Sequence, residues 1–146
     1  SLQLDQQVVA ESTFGGFSLN AKNTFTKDHE FKAFNGTMPD HLELRANETV
    51  RWKVYLPQAG EYLLESSIHN GSDKDIKLTI KANDKTFSIP AKPNGKVTVE
   101  PNQNWYVDEF LDLEIGKIQV TKPQELVIEF SADDALLFNR IWVEKK

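Results

Sequence analysis

"ETVRWKVYLP", residues 48–57, decides the class of fold. Val50, Trp52, Val54 and Leu56 fall on one face of an extended chain, and Arg51, Lys53 and Tyr55 fall on the other. A period of two is the mark of a strand with one face buried and one solvated, as in an antiparallel sheet. Pro57 stops the strand because it has no N–H to give to a ladder. "QAG" (58–60) turns the chain, and "EYLLESSIH" (61–69) starts the next strand. Trp52, between two buried valines, is read as core.

The same rhythm continues along the chain. Ile76, Leu78 and Ile80 alternate in "DIKLTIKA", and Asn83-Asp84-Lys85 reads as a tight hairpin turn into "TFSIP". Val97 and Val99 alternate in "GKVTVE". Leu111, Leu113 and Ile115 do so in "LDLEIG", then Ile118 and Val120 in "KIQV". "ELVIEF" and "LFNRIWVE" close the chain. Turn signals recur every 8 to 15 residues, and no helical period is sustained over ten residues. Short strands at this spacing predict an all-β sandwich or barrel. The first 45 residues are less regular. There "VVAES" is an expected opening strand, the Gly15-Gly16 pair a turn, and the rest a long excursion of the kind often used for binding.

With 146 residues the chain is expected to form one domain, 1–146. At 39% hydrophobic it has the material for a core. A net charge of −5, with acids and lysines interleaved, lacks the basic stripe that nucleic acid or an anionic membrane requires. The absence of cysteine excludes a disulfide scaffold, a thiol nucleophile and a cysteine zinc site. No apolar run approaches the ~18 residues of a membrane span, and no signal peptide is seen. The start "SLQLDQQVV", without Met, is read as that of a processed or excised piece.

From residue 48 onward the order of features resembles a known group. "VRWKVYLPQAGEYLLE" resembles the segment of family 6 and 35 carbohydrate-binding modules where a strand ends in proline and "AG.Y" opens the next. It is equally similar to the C-terminal β-sandwich of bacterial alpha-L-fucosidases. "LEIGKIQVTKPQELVIEF" and "LLFNRIWVEK" resemble the later strands, so the likeness covers about 100 residues. It implies an antiparallel two-sheet β-sandwich of the galactose-binding-like jelly-roll type. It also implies a glycan partner, an exported (periplasmic or extracellular) bacterial setting beside a glycoside hydrolase, and often a structural calcium. Glu11 matches the early calcium ligand. Asn139 stands where an Asp is common, and a neutral amide is the weaker calcium ligand. Leu137 stands where family 6 modules often carry a sugar-binding Asn.

The stretch "PNQNWYVDEF", residues 101–110, breaks the strand rhythm. The resemblance makes Trp105 the aromatic on which a sugar ring stacks, with Asn102, Asn104, Tyr106 and Asp108 as polar neighbours. The residues alone allow a second reading, in which the indole plugs one end of the sandwich. "FNGTMPDH" (34–41) offers Phe34, Asn35, Met38 and His41 in a turn-rich setting, read either as the second wall of a loop-end cleft or as an ordinary covering loop.

Catalysis finds no support in the sequence. A glycosidase needs two carboxylates about 5–9.5 Å apart across the scissile bond. Strand alternation puts Asp112 and Glu114 on a solvated face instead. His29 and His41 stand beside acids but without zinc-binding spacing. Three sequons, at Asn35, Asn47 and Asn70, suit surface turns. In "LLFNRIWVEK", Phe138 and Trp142 are expected on one outward face. That face would dock a catalytic domain of the same parent chain if the sandwich were a structural accessory without sugar binding.

Overall fold

A computed structural model describes residues 3–7, 16–20, 31–32, 41–94, 96–98, 106–108 and 110–146, with side chains for 43–94 and 110–146. Among the described residues it contains thirteen strands and no helix. The strands are β1 (Gln3–Gln7), β2 (Gly16–Asn20), β3 (Phe31–Lys32), β4 (His41–Leu44), β5 (Thr49–Leu56), β6 (Gly60–His69) and β7 (Ile76–Ala82). They continue as β8 (Lys85–Ala91), β9 (Lys96–Thr98), β10 (Tyr106–Asp108), β11 (Leu111–Val120), β12 (Gln124–Ala132) and β13 (Leu136–Lys145).

One sheet runs β1-β5-β12-β7-β8 and the other β11-β6-β13-β4-β3, with β2 also paired to β13. The pairings are antiparallel except β1 with β5, which is parallel. The two-sheet sandwich expected from sequence is therefore present, with one parallel edge added. The opening strand is Gln3–Gln7, and "VVAES" lies outside the described residues. Gly16 begins a strand that pairs with the C-terminal half of β13, so the early region is more sheet-like than its sequence pattern suggested.

The alternating residues meet between the sheets. Val50, Trp52, Val54 and Leu56 face Leu64, Ile68, Phe138 and Ile141, all buried. Across the middle, Phe138 packs its ring 5.2 Å from Trp52 and 5.0 Å from Phe130. Tilted aromatic packing at these distances adds roughly 0.5–1.5 kcal/mol per pair beyond area burial.

Two irregularities shape the six-stranded sheet. The first lies in β11, where the register against β6 shifts between Glu114 and Gly116. The sequence suggested two strands there, "LDLEIG" and "KIQV"; the bulge keeps them as one ten-residue strand. Gly116 is required by a neighbour in the other sheet. A Cβ there would lie 2.3 Å from Phe87 on β8. Phe87 thus ties the two edge strands β8 and β11 together. The Lys85 ammonium lies 5.1 Å from the Phe87 ring centroid and donates to the Lys117 carbonyl at 2.9 Å.

The second bulge lies in β13, between Phe138 and Arg140. It overturns one expectation. Strict alternation would put Phe138 and Trp142 on the same outward face, but the extra residue at Asn139 reverses the phase. Phe138 turns inward with zero exposure, while Arg140 and Trp142 stay on the outer side, half-buried. The Arg140 guanidinium carbon sits 4.0 Å from the Trp142 ring centroid. Burial pushes the Arg140 guanidinium below its usual value, and Asp112 opposes that shift. The Phe138–Trp142 docking patch does not exist.

Candidate functional site

The strand directions gather several turns at one end of the sandwich. β4, β6, β8 and β12 finish there, and β5, β7, β11 and β13 begin there, as the pairs Leu136–Leu44, Leu111–Ile68, Thr49–Ser131 and Ile76–Ala91 require. The turns are bound to one another. Asn47 N–H donates to the Ala132 carbonyl at 2.7 Å. Lys77 N–H donates to Asp133 Oδ1 at 2.9 Å, and Asp133 N–H returns to the Lys77 carbonyl at 3.0 Å. Exposed ion pairs, Lys74–Asp134 at 3.6 Å and Lys92–Asp75 at 3.8 Å, cross the same surface. Such pairs contribute little each, roughly 0–1 kcal/mol.

Asn70 is the centre of this end. Its side chain is completely buried. Its Nδ2 donates to the carbonyls of Lys74 and Ala91, both at 2.8 Å. Its Oδ1 accepts from the Ser72 N–H at 2.9 Å and the Ser72 hydroxyl at 2.7 Å. The amide thereby closes the loop after β6 onto the end of β8. Buried polar groups need such partners, since an orphaned one costs roughly 1–3 kcal/mol. The sequon at Asn70 is therefore not a surface turn, whereas Asn47 is exposed at a turn with φ of 64°.

From this centre the chain leaves and returns. Asn94 precedes β9, and Phe110 follows β10. The two strands pair antiparallel, Tyr106 opposite Thr98 and Asp108 opposite Lys96, as a small sheet of their own. Both stems of this hairpin converge on the last residues of β6. Asn70 N–H donates to Asn94 Oδ1 at 2.7 Å, and Asn94 N–H donates to the Asn70 carbonyl at 3.0 Å. Asn94 Nδ2 lies 3.2 Å from His69 Nδ1. On the other stem, the Phe110 ring lies 5.6 Å from the buried His69 ring. Leu137 of β13 is paired beside His69.

The expected site residues divide in consequence. Tyr106 and Asp108 lie on β10 of this hairpin. Asn102, Asn104, Trp105, Asn35 and Glu11 lie outside the described residues. Asn139 marks the β13 bulge and is half-buried. Among the described residues no three His, Cys, Asp or Glu side chains gather to hold a metal. Asn139, a single neutral amide, does not make a calcium cage alone. Asp112 and Glu114 are exposed, as the alternation required.

Sequence reading missed His69, Asn70, Asn94 and Phe110. The sequence singles out Asn70 only as a sequon suited to a surface turn. Nothing in a one-dimensional pattern joins amides that stand 24 residues apart.

No protein-family model matches the sequence, and no curated protein matches it. The fold does have solved counterparts. It is similar to a family 35 carbohydrate binding module from Clostridium thermocellum, with a TM-score of 0.66 and 15% identity over 90% of this chain and 98% of that one. It is similar to a carbohydrate binding module (CBM6cm-2) of Cellvibrio mixtus lichenase 5A, solved with cellotriose, with a TM-score of 0.56 and 13% identity over 88% and 96%. It is also similar to the alpha-L-fucosidase of Vibrio sp. strain EJY3, with a TM-score of 0.52 and 13% identity over 98% of this chain and 24% of that one. This chain spans only 22% to 28% of the larger insecticidal and mannanase structures that it matches. At these identities the likeness is one of fold.

Proposed function

We propose that this domain is a non-catalytic carbohydrate-binding module that recognises a glycan weakly through its β9–β10 hairpin. The observation that carries the reading is the root of that hairpin. Two stems end on one buried pair, His69–Asn70, so the hairpin is rooted at the end of the sandwich where the turns gather. Loops so presented are where folds of this kind carry binding groups. The sequence resemblance puts a stacking aromatic, Trp105, directly before β10. Two solved carbohydrate binding modules have this fold over nearly their whole length.

In this reading Trp105 offers its flat indole to the C–H face of a sugar. About 100 Å² of covered ring at ~25 cal/mol/Å² gives roughly 2.5 kcal/mol. A millimolar site needs about 4 kcal/mol, so hydrogen bonds must add the rest. Asn102, Asn104, Tyr106 and Asp108 supply them, with Asn35 on a second wall. Exposed hydrogen bonds gain little net of ordering, which sets affinity between micromolar and millimolar. The module belongs to an exported bacterial carbohydrate-active protein, periplasmic or extracellular, beside a catalytic domain of the same parent chain. A structural calcium held by Glu11 and Asn139 is part of the same reading. The accessory-sandwich alternative loses its expected docking face, because Phe138 is in the core, and keeps only Leu137 in place of the sugar-binding Asn.

The test is a titration against a panel of plant and host glycans, followed by tryptophan fluorescence, for wild type and Trp105→Ala. Saturable binding by wild type that Trp105→Ala abolishes supports the reading. Binding that survives the substitution refutes the platform, and binding to no glycan refutes the function.

A further inference from the structure

At the root of the hairpin one side chain, Asn94, contacts both residues at the end of β6, the Asn70 backbone and the His69 ring. Asn94 Oδ1 accepts the backbone N–H of Asn70 at 2.7 Å, and this bond fixes which way its amide points. The Nδ2 group must then face His69 Nδ1, 3.2 Å away. An amide nitrogen only donates, so His69 Nδ1 must accept. A neutral imidazole that accepts at Nδ1 carries its proton on Nε2. The His69 ring is meanwhile packed against Phe110 at 5.6 Å and closed in by Gly71, where a Cβ would lie 3.3 Å from Nε2. One amide therefore connects the outgoing stem, at Asn94, to the ring on which the returning stem, at Phe110, rests.

We infer that Asn94 is a positioning residue: it orients the β9–β10 hairpin by locking His69 in the Nε2–H tautomer. The inference deepens the glycan-binding reading and takes from it only the purpose of the hairpin. The clamp itself can be tested without any ligand.

Two variants separate positioning from general stability. Asn94→Ala keeps the backbone bond from residue 94 to the Asn70 carbonyl and removes the side-chain contacts to the Asn70 N–H and the His69 ring. Asn94→Asp keeps an acceptor for the Asn70 N–H and presents a second acceptor to His69. The ring then meets it by moving its proton to Nδ1. The readouts are the imidazole ¹⁵N shifts of His69 and amide hydrogen exchange of Val97 and Val107 in the hairpin, with Ile80 and Ile128 as core references.

Wild type is expected to show the Nε2–H tautomer. Asn94→Ala is expected to exchange its hairpin amides at least about tenfold faster, the loss of roughly two net hydrogen bonds, with core amides unchanged. Asn94→Asp is expected to restore hairpin protection while switching His69 to Nδ1–H. Unchanged hairpin exchange in Asn94→Ala, equal acceleration of hairpin and core, or a wild-type Nδ1–H tautomer would each overturn the inference. Glycan titration of the same variants then distinguishes the two readings. If wild type binds no glycan while the exchange pattern holds, the clamp stands and the functional reading falls. If wild type binds and Asn94→Ala binds equally well, the clamp does not position the site.

Discussion

Replacing Asn70 by alanine removes four hydrogen bonds at once. Two run from Nδ2 to the carbonyls of Lys74 and Ala91, and two are accepted by Oδ1 from Ser72. Each net bond contributes about 1 kcal/mol, so the simple sum is roughly 4 kcal/mol. Solvent moderates this at one side of the loop. Lys74 is exposed and regains water, whereas Ala91 is buried and its carbonyl does not. The expected loss is therefore about 3–4 kcal/mol, a large fraction of the ~5–15 kcal/mol that holds a domain folded. Asn70→Asp should be worse than alanine: a buried carboxylate would face two carbonyl oxygens with no proton to give. Urea unfolding followed by intrinsic fluorescence measures both, compared at constant m value. A loss under about 1 kcal/mol for Asn70→Ala, or an Asn70→Asp protein as stable as the wild type, would refute the role given to this amide.

Further outcomes follow from the packing. Phe138→Ala should cost about 3–5 kcal/mol in urea unfolding, because the ring is fully buried between Trp52 and Phe130; a surface Phe138 would cost almost nothing. Gly116→Ala should cost about 1–3 kcal/mol by displacing Phe87, and the double variant Gly116→Ala with Phe87→Ala should cost less than the sum of the two. Burial raises the Tyr62 phenol above its ordinary value, and the neutral phenol donates to the Gln58 carbonyl at 2.7 Å. The folded state then holds this proton more tightly, so the contribution is intact below the unfolded value near pH 10 and is lost as pH rises through the folded one. Tyr62→Phe should flatten that alkaline loss, as read from stability against pH.

Most of the sandwich was legible because its strands alternate cleanly. Trp52, Ile80 and Ile128 could be assigned to a buried face from their neighbours alone. Bulges defeat that reading, since one extra residue inverts the phase of one side of the strand relative to the other. Asn139 did this to Phe138, and the register shift before Gly116 joined two apparent strands into one. The parallel edge β1 was illegible for another reason. "QLDQQ" lacks an apolar rhythm, and its pairing is set by β5. At the site, Tyr106 and Asp108, read as polar neighbours of Trp105, lie on β10 in the excursion between two sheet strands. Its foundation was not legible, because His69, Asn70, Asn94 and Phe110 acquire their roles only when the ends of β6, β8 and β11 meet.

The most direct measurement is an NMR titration of the ¹⁵N-labelled domain with the best ligand from a glycan panel. Saturable shifts are expected on the hairpin, 96–108, and on its root at His69, Asn70 and Asn94, with the Trp105 indole among the largest. Shifts centred on Arg140 and Trp142 across the outer sheet face, with a silent hairpin, would contradict it.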